Sequence, residues 1–387
     1  MADAKLKVLL KVADSLLVLV LFGPLVVAYW RGSWVLLDIY LFPNDPEKTA
    51  WTSFMIGAVL TTAFYFLQSC LTRYASEDQP LVWLVVSHLH TYVHGWGIVN
   101  YWRGVWLLLN HYTTTSIDSS LVSFALGIGL LALLRSSRNV RAPPGLVCPD
   151  WGPPTYECTT RFRTKMRCTE LHVLDTLFTS IVVGGLIVFY WRGSWTYMDN
   201  VLFPDNTEYS GWASLGIGYG AVLVAFLSQL SFSALSTLLD GKLLILKVVL
   251  EDLYMFVLNT GCVCVWRGVW LCCDVYIWPN QPESSNWFTH GVGLGVLMLF
   301  GVGNSVIVRG CQIDGEFTAG EGIIPPVDYL AYILQWRQEK REHKEKIVKD
   351  VNGSVGLHAY DNEAAVTTIS DGVVDHVAKP VIMNHKL

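Results

Sequence analysis

Apolar residues fall along the chain in blocks of about twenty, the length a helix needs to cross a hydrocarbon core about 30 Å thick. Eight blocks start near Val8, Trp51, Leu81, Ser119, Leu171, Trp212, Leu243 and Trp287; the fourth, ending before Arg135, is the shortest. The pattern predicts an all-α membrane protein with eight transmembrane helices. The first block is too long for the apolar core of a signal peptide and matches later segments, so it reads as a span. Between the fourth and fifth blocks, Ser136 to Met166 holds Pro143, Pro144, Pro149, Pro153 and Pro154, which predicts an irregular loop. The expected layout is a first transmembrane half over 1–135, a Pro/Arg-rich loop over 136–166, a second half over 167–310 and a tail over 311–387. In that tail, Tyr329 to Lys349 interleaves Arg337, Lys340, Arg341, Lys344 and Lys346 with Glu339, Glu342 and Glu345, as a charged helix would. Val351 to Leu387 has no periodicity and reads as disordered.

The blocks are not independent. Trp30-Arg31-Gly32-Ser33-Trp34 recurs as Trp102-Arg103-Gly104-Val105-Trp106, as Trp191-Arg192-Gly193-Ser194-Trp195 and as Trp266-Arg267-Gly268-Val269-Trp270. Eight residues after the first Trp of each copy stand Asp38, Asn110, Asp199 and Asp274; twenty-seven after it stand Gly57, Gly129, Gly218 and Gly293, an alignment without gaps. Copies one and three share Asp14 and Asp175, sixteen before the Trp, and Phe42-Pro43 and Phe203-Pro204 after it; His88 and Asp252 stand fourteen before theirs in copies two and four. Four parallel two-helix repeats, arranged as two similar halves, follow from this duplication. All four motifs then lie at one face.

Composition and charge narrow the class. Hydrophobic residues are 52% and charged residues 15%, against about 25% charged in soluble domains, and mean hydropathy is +0.39. These values exclude a soluble enzyme, and a net charge of −5 argues against nucleic-acid binding. Lys5, Lys7 and Lys11, the central-loop arginines, Lys242, Lys247 and the tail share one side, which the positive-inside rule makes cytoplasmic, with both termini there. On the motif face nine acids stand against five bases: Asp38, Asp45, Glu47, Asp118, Asp199, Asp205, Glu208, Asp274 and Glu283 against Lys48 and the four motif arginines.

Three readings of the motif remain open. Indole and guanidinium groups anchor at the membrane interface. A fixed Arg-to-acid interval of seven puts both on one helix face, so Arg31, Arg192 and Arg267 with Asp38, Asp199 and Asp274 would join neighbouring repeats in a pseudo-fourfold ring. Or the ring binds an ion or anionic ligand, with Arg103, whose repeat offers only Asn110, as its unpaired member. The aligned glycines read as close helix packing, and Gly23-Pro24 with Gly184-Gly185 mark places where the first and fifth spans would unwind. Asp14, His88, His90, His94, Asp175 and Asp252 are intramembrane polar candidates. His90 and His94 lie one turn apart but have no counterpart in other repeats, so neither a metal nor a cofactor is assigned. No catalytic residue is assigned either.

The Tyr-Trp-Arg-Gly-x-Trp repeats followed by Asp and Phe-Pro, set in eight spans from Val8 to Arg309, resemble the fuseless family of invertebrate membrane proteins. The resemblance implies a multipass protein tied to presynaptic organisation and to the placement of voltage-gated calcium channels; it transfers no catalytic residues. The expectation is a non-enzymatic plasma-membrane organiser that meets lipid and recruits cytoplasmic proteins through residues 329–349. The alternative is a transporter or channel passing an ion or small solute between the repeats.

Overall fold

The computed structural model describes residues 2–75, 79–151, 155–164, 169–308, 310–342 and 345; the expectation for Val351 to Leu387 lies outside them. The chain divides into two units, Met1–Tyr329 and Leu330–Leu387. The described part of the second is helical as far as residue 342. In the first unit, Ala2–Leu17 (α1), a π-helical Val18–Phe22 and Gly23–Tyr40 (α2) form one continuous rod. Pro46–Tyr74 (α3), Pro80–Thr113 (α4) and Ile117–Leu133 (α5) follow. Thr169–Leu177 (α6), a π-helical Phe178–Val183 and Gly184–Val201 (α7) make the fifth rod. Thr207–Leu239 (α8), Leu244–Tyr276 (α9) and Pro282–Leu299 (α10) complete the set, and there is no strand among the described residues.

Among the described residues, five helices are long and apolar enough to cross a membrane: Leu9–Tyr40, Pro46–Tyr74, Thr169–Val201, Thr207–Leu239 and Leu244–Tyr276. Ile117–Leu133 is apolar but shorter. The expected unwinding near Gly23 and Gly184 does not occur. Each rod instead takes in a π-helical stretch just before that glycine, a local re-registration that keeps the backbone bonded within the helix.

The helices form two layers. The motif-bearing helices α2, α4, α7 and α9 touch in a cycle, α2 on α4, α4 on α7, α7 on α9 and α9 on α2. Behind them lie α3 on α4, α5 on α7, α8 on α9 and α10 on α2. Each inner helix therefore leans on the outer helix of the preceding repeat, and the last helix closes on the first. Consecutive helices within a repeat, such as α2 and α3, are not the main packing pairs.

Glycine permits the close crossings. A Cβ at Gly32, Gly104, Gly193 or Gly268 would fall within 3.0 Å of the outer helix, at the backbone nitrogens of His290, Phe54, Phe124 and Leu215. In the opposite direction, Gly57, Gly127, Gly218 and Gly293 meet the inner-helix backbone at Tyr101, Tyr190, Val265 and Tyr29 just as closely. Gly127 occupies this place in the second repeat, whereas a Cβ on Gly129 would meet nothing within 4 Å. The gapless alignment is thus corrected. The loop between α4 and α5 is shorter than its three counterparts, which moves the crossing glycine two positions towards the N-terminus.

At the end opposite the motifs, α5 and α10 stop early and turn inward. A left-handed residue follows each, Arg135 (φ 49°) and Gly301 (φ 66°). The next amides, of Ser136 and Val302, donate back to the Leu131 and Leu297 carbonyls, the six-to-one bond of a Schellman ending. The chain then coils into short 3-10 hooks, Ser137–Val140 and Gly303–Val306. The carboxylate capping each hook comes from the segment that follows the other half. Asp314 accepts from the Ser137 and Arg138 amides at 2.9 and 3.2 Å, and Asp150 from those of Gly303 and Asn304 at 2.8 and 2.6 Å. Described residues beyond α10 thus return to the core at Cys311, Asp314, Ile323, Val327 and Tyr329, and the Tyr329 hydroxyl donates to the Phe300 carbonyl at 2.7 Å.

Gly57→Ala and Gly104→Ala should abolish the monodisperse peak of the detergent-solubilised chain in size-exclusion chromatography. Gly129→Ala should leave it unchanged, and an unaffected Gly57→Ala would remove the close-crossing argument.

Candidate functional site: a guanidinium ring around an eight-indole chamber

The four motif arginines are buried, with Arg192 at 0% and Arg31, the most open, at 3% exposure. A guanidinium in so dry a place must meet acceptors on all sides. Each finds them in the preceding repeat. Arg103 donates to Asp38 at 2.9 Å, to Ser53 Oγ at 2.6 Å and to Thr49 Oγ1 at 3.0 Å. Arg267 donates to Asp199 at 2.9 Å, Ser214 at 2.5 Å and Ser210 at 2.7 Å. Arg31 donates to Asp274 at 2.7 Å and to Ser285 and Thr289 at 3.3–3.4 Å. Every arginine thus ties an inner helix to both helices of the repeat before it, and Arg31 closes the cycle from first repeat to last.

The position without a carboxylate is different from the one anticipated. Arg103 is paired with Asp38; Arg192 is the one that meets Asn110, at 3.1 Å. The physical reason is that pairing runs between repeats rather than along one helix. Arg192 compensates with Ser119 Oγ at 3.1 Å and the Thr114 carbonyl, which the short α4–α5 loop brings into reach. This quadrant is irregular in another respect. Elsewhere at the motif end a tyrosine hydroxyl bridges a glutamate and a tryptophan: Tyr112 with Glu47 and Trp51, Tyr276 with Glu208 and Trp212, Tyr40 with Glu283 and Trp287. These bridges were missed in the sequence, although Glu-x-x-x-Trp recurs three times as their signal.

The tryptophans of the motif face one another around the axis in two tiers. Trp30, Trp102, Trp191 and Trp266 form a closed cycle with neighbouring centroids 5.1–5.5 Å apart. Trp34, Trp106, Trp195 and Trp270 form a second, 5.6–6.1 Å apart, with planes meeting at 84–85°. The first tier is buried and sits on the hooks: Trp191 Nε1 donates to the Val140 carbonyl and Trp30 Nε1 to that of Val306, each at 3.0 Å, and Trp266 Nε1 to Pro143 at 2.5 Å. The second tier is half-buried. All eight indoles line one chamber of about 170 Å³.

The other polar candidates are not gathered into one site. Asp14 is fully buried. Asp175 accepts from the Phe162 and Thr164 amides at 3.0 and 3.1 Å, pinning the central loop. Asp252 pairs with Arg135 at 3.1 Å. His90 and His94 approach to 3.3 Å with His94 stacked on Phe64, while the His88 ring meets its own helix at the Leu84 carbonyl. Among the described residues no group of three His, Cys, Asp or Glu side chains is placed to hold a metal ion. Several central-loop arginines are also structural. Arg138 lies over Phe317 and 3.5 Å from Asp314, and burial, reinforced by the nearby Arg138 charge, pushes Arg141 down to about 10.

A family model, Fuseless, matches residues 9–307, which take in all four motifs and both hooks. The chain belongs to the Fuseless family. No curated protein and no solved structure matches it. The Fuseless match stops short of Asp314, so one of the two hook caps lies outside the shared region.

The asymmetry of the ring sets up a paired experiment. Asn110→Asp supplies a fourth carboxylate and should raise the thermal midpoint of the purified chain. Asp199→Asn should lower it through a stability loss of about 1 kcal/mol, modest because the Asp199 side chain is 46% exposed and water screens the pair.

Proposed function

We propose that this Fuseless protein crosses the plasma membrane eight times with both termini cytoplasmic, and acts without catalysis as an organiser at presynaptic sites. There it supports synaptic transmission by helping to place voltage-gated calcium channels. Family membership supplies the setting. The observation that carries the scaffold reading is the filled axis. Below the chamber, the first indole tier and the two hooks occupy the space between the inner helices, and Val140, Val306 and Asn304 are buried there. A bundle so closed is suited to presenting surfaces. The surface proposed for cytoplasmic partners is the segment over residues 329–349. It is helical over 329–342, with Lys340 over the Trp336 ring, and its remainder lies largely outside the described residues.

The alternative is a transporter or channel with its site between the repeats. The chamber and the two π-helical stretches favour it, because π-bulges recur at functional sites.

In presynaptic terminals lacking the endogenous protein, the full chain should restore calcium-channel accumulation. A chain truncated after Tyr329 should reach the membrane but fail to do so. The cut spares Asp314 and its hook, so the loss reports on the tail rather than on misfolding. Full rescue by the truncated chain would defeat recruitment through this segment. Liposomes carrying the purified chain should pass no ion or solute above empty controls; flux would establish the alternative.

A further inference from the structure

We propose that the eight-indole chamber is a binding site for a trimethylammonium group. The second tier carries the geometry. Four indoles stand at the corners of a near-square, with neighbouring centroids 5.6–6.1 Å apart and planes meeting at 84–85°, and together with the first tier they line one chamber. The centre of such a square lies about 4 Å from every centroid, inside the roughly 6 Å reach of a cation–π contact. Four indole rings then surround one point, and the first tier, held down by the Val306, Val140 and Pro143 carbonyls, forms the floor.

Size, hydration and field select the ligand. The volume of about 170 Å³ falls below the roughly 300 Å³ at which pockets for drug-sized molecules begin, and suits a small head group. Indole walls cannot replace the water shell of sodium or potassium, whereas a methylated ammonium holds water weakly and presents methyl groups to the rings. The chamber opens towards the end of the bundle whose loops carry Asp45, Glu47, Asp118, Asp205, Glu208 and Glu283 against the single base Lys48. Such a rim draws cations to the mouth. The guanidinium ring does not oppose entry strongly. Three of its four charges are matched by Asp38, Asp199 and Asp274, and all four point into the joints with the outer layer. Arg192, with Asn110, leaves one charge uncompensated, and the acidic loops outnumber it.

The group has two possible sources, free choline or the head of phosphatidylcholine. The experiment uses the full chain in nanodiscs of phosphatidylglycerol and measures saturable binding of radiolabelled choline. Unlabelled choline should displace the label at least ten times better than 3,3-dimethylbutan-1-ol, its neutral isostere. Trp106→Phe, which keeps the ring but weakens its face, should reduce affinity at least threefold. Trp83→Phe, more than five helical turns away on the same helix, should not. Adding phosphatidylcholine to the disc separates the sources: loss of choline binding assigns the lipid head, and unchanged binding assigns the free solute. Equal displacement by the neutral isostere, or no saturable binding by a chain that is monodisperse in the disc, would overturn the proposal. The site rests on the chamber alone. A chain that binds choline and passes no solute would keep both this inference and the scaffold reading, and failure of either leaves the other standing.

Discussion

A guanidinium cannot be left bare in a dry interior, and four of them stand in the middle of this bundle. Their demand for acceptors explains most of what surrounds them. Each reaches past its own helix to a carboxylate or amide on the neighbouring inner helix and to hydroxyls on the outer helix behind it, as Arg103 does with Asp38, Ser53 and Thr49. The hydroxyls come within reach only because glycine lets the backbones cross so closely, at Gly104 against Phe54 and at Gly57 against Tyr101. A wider crossing would leave the charges short of partners. Since Arg31 meets Asp274, the cycle is complete only when the first and last inner helices touch.

Symmetry changes along the axis. At the motif end the contacts repeat four times, through Arg, Trp and Gly in equivalent places. At the opposite end they repeat twice: among the described residues the π-helical stretches precede α2 and α7 only, and the hooks follow α5 and α10 only. The two halves exchange caps there, Asp150 serving one hook and Asp314 the other. Early termination of α5 and α10 is therefore part of the design of the core, because the residues that would have lengthened them plug the axis instead.

Departures from symmetry concentrate in one quadrant. Where α5 packs on α7, the preceding α4–α5 loop is short, the acid is Asn110 and no Glu–Tyr–Trp bridge occurs among those described. Arg192 is satisfied there by neutral oxygens, so the ring holds four guanidinium groups and three carboxylates. A neutral acceptor suffices because the charge is met by several dipoles at once.

The sequence by itself determined the helical class, the positions of the apolar rods, the fourfold motif and the residue types that must crowd one end. Those features are local: hydropathy, spacing and recurrence are properties of the chain read in order. Even the crossing glycines were legible in three repeats, and failed at Gly129 because a shorter loop shifts register in a way that only packing reveals. What tertiary structure decided was who meets whom. The interval of seven places Arg31 and Asp38 on one helix face, yet Arg31 goes to Asp274 and Asp38 to Arg103, since side chains on one face of a helix point outward to a neighbour more readily than to each other. The hooks, the reciprocal caps and the indole chamber were illegible for the same reason: each joins residues more than fifty positions apart, and no periodicity along a chain encodes a contact made by closing a ring.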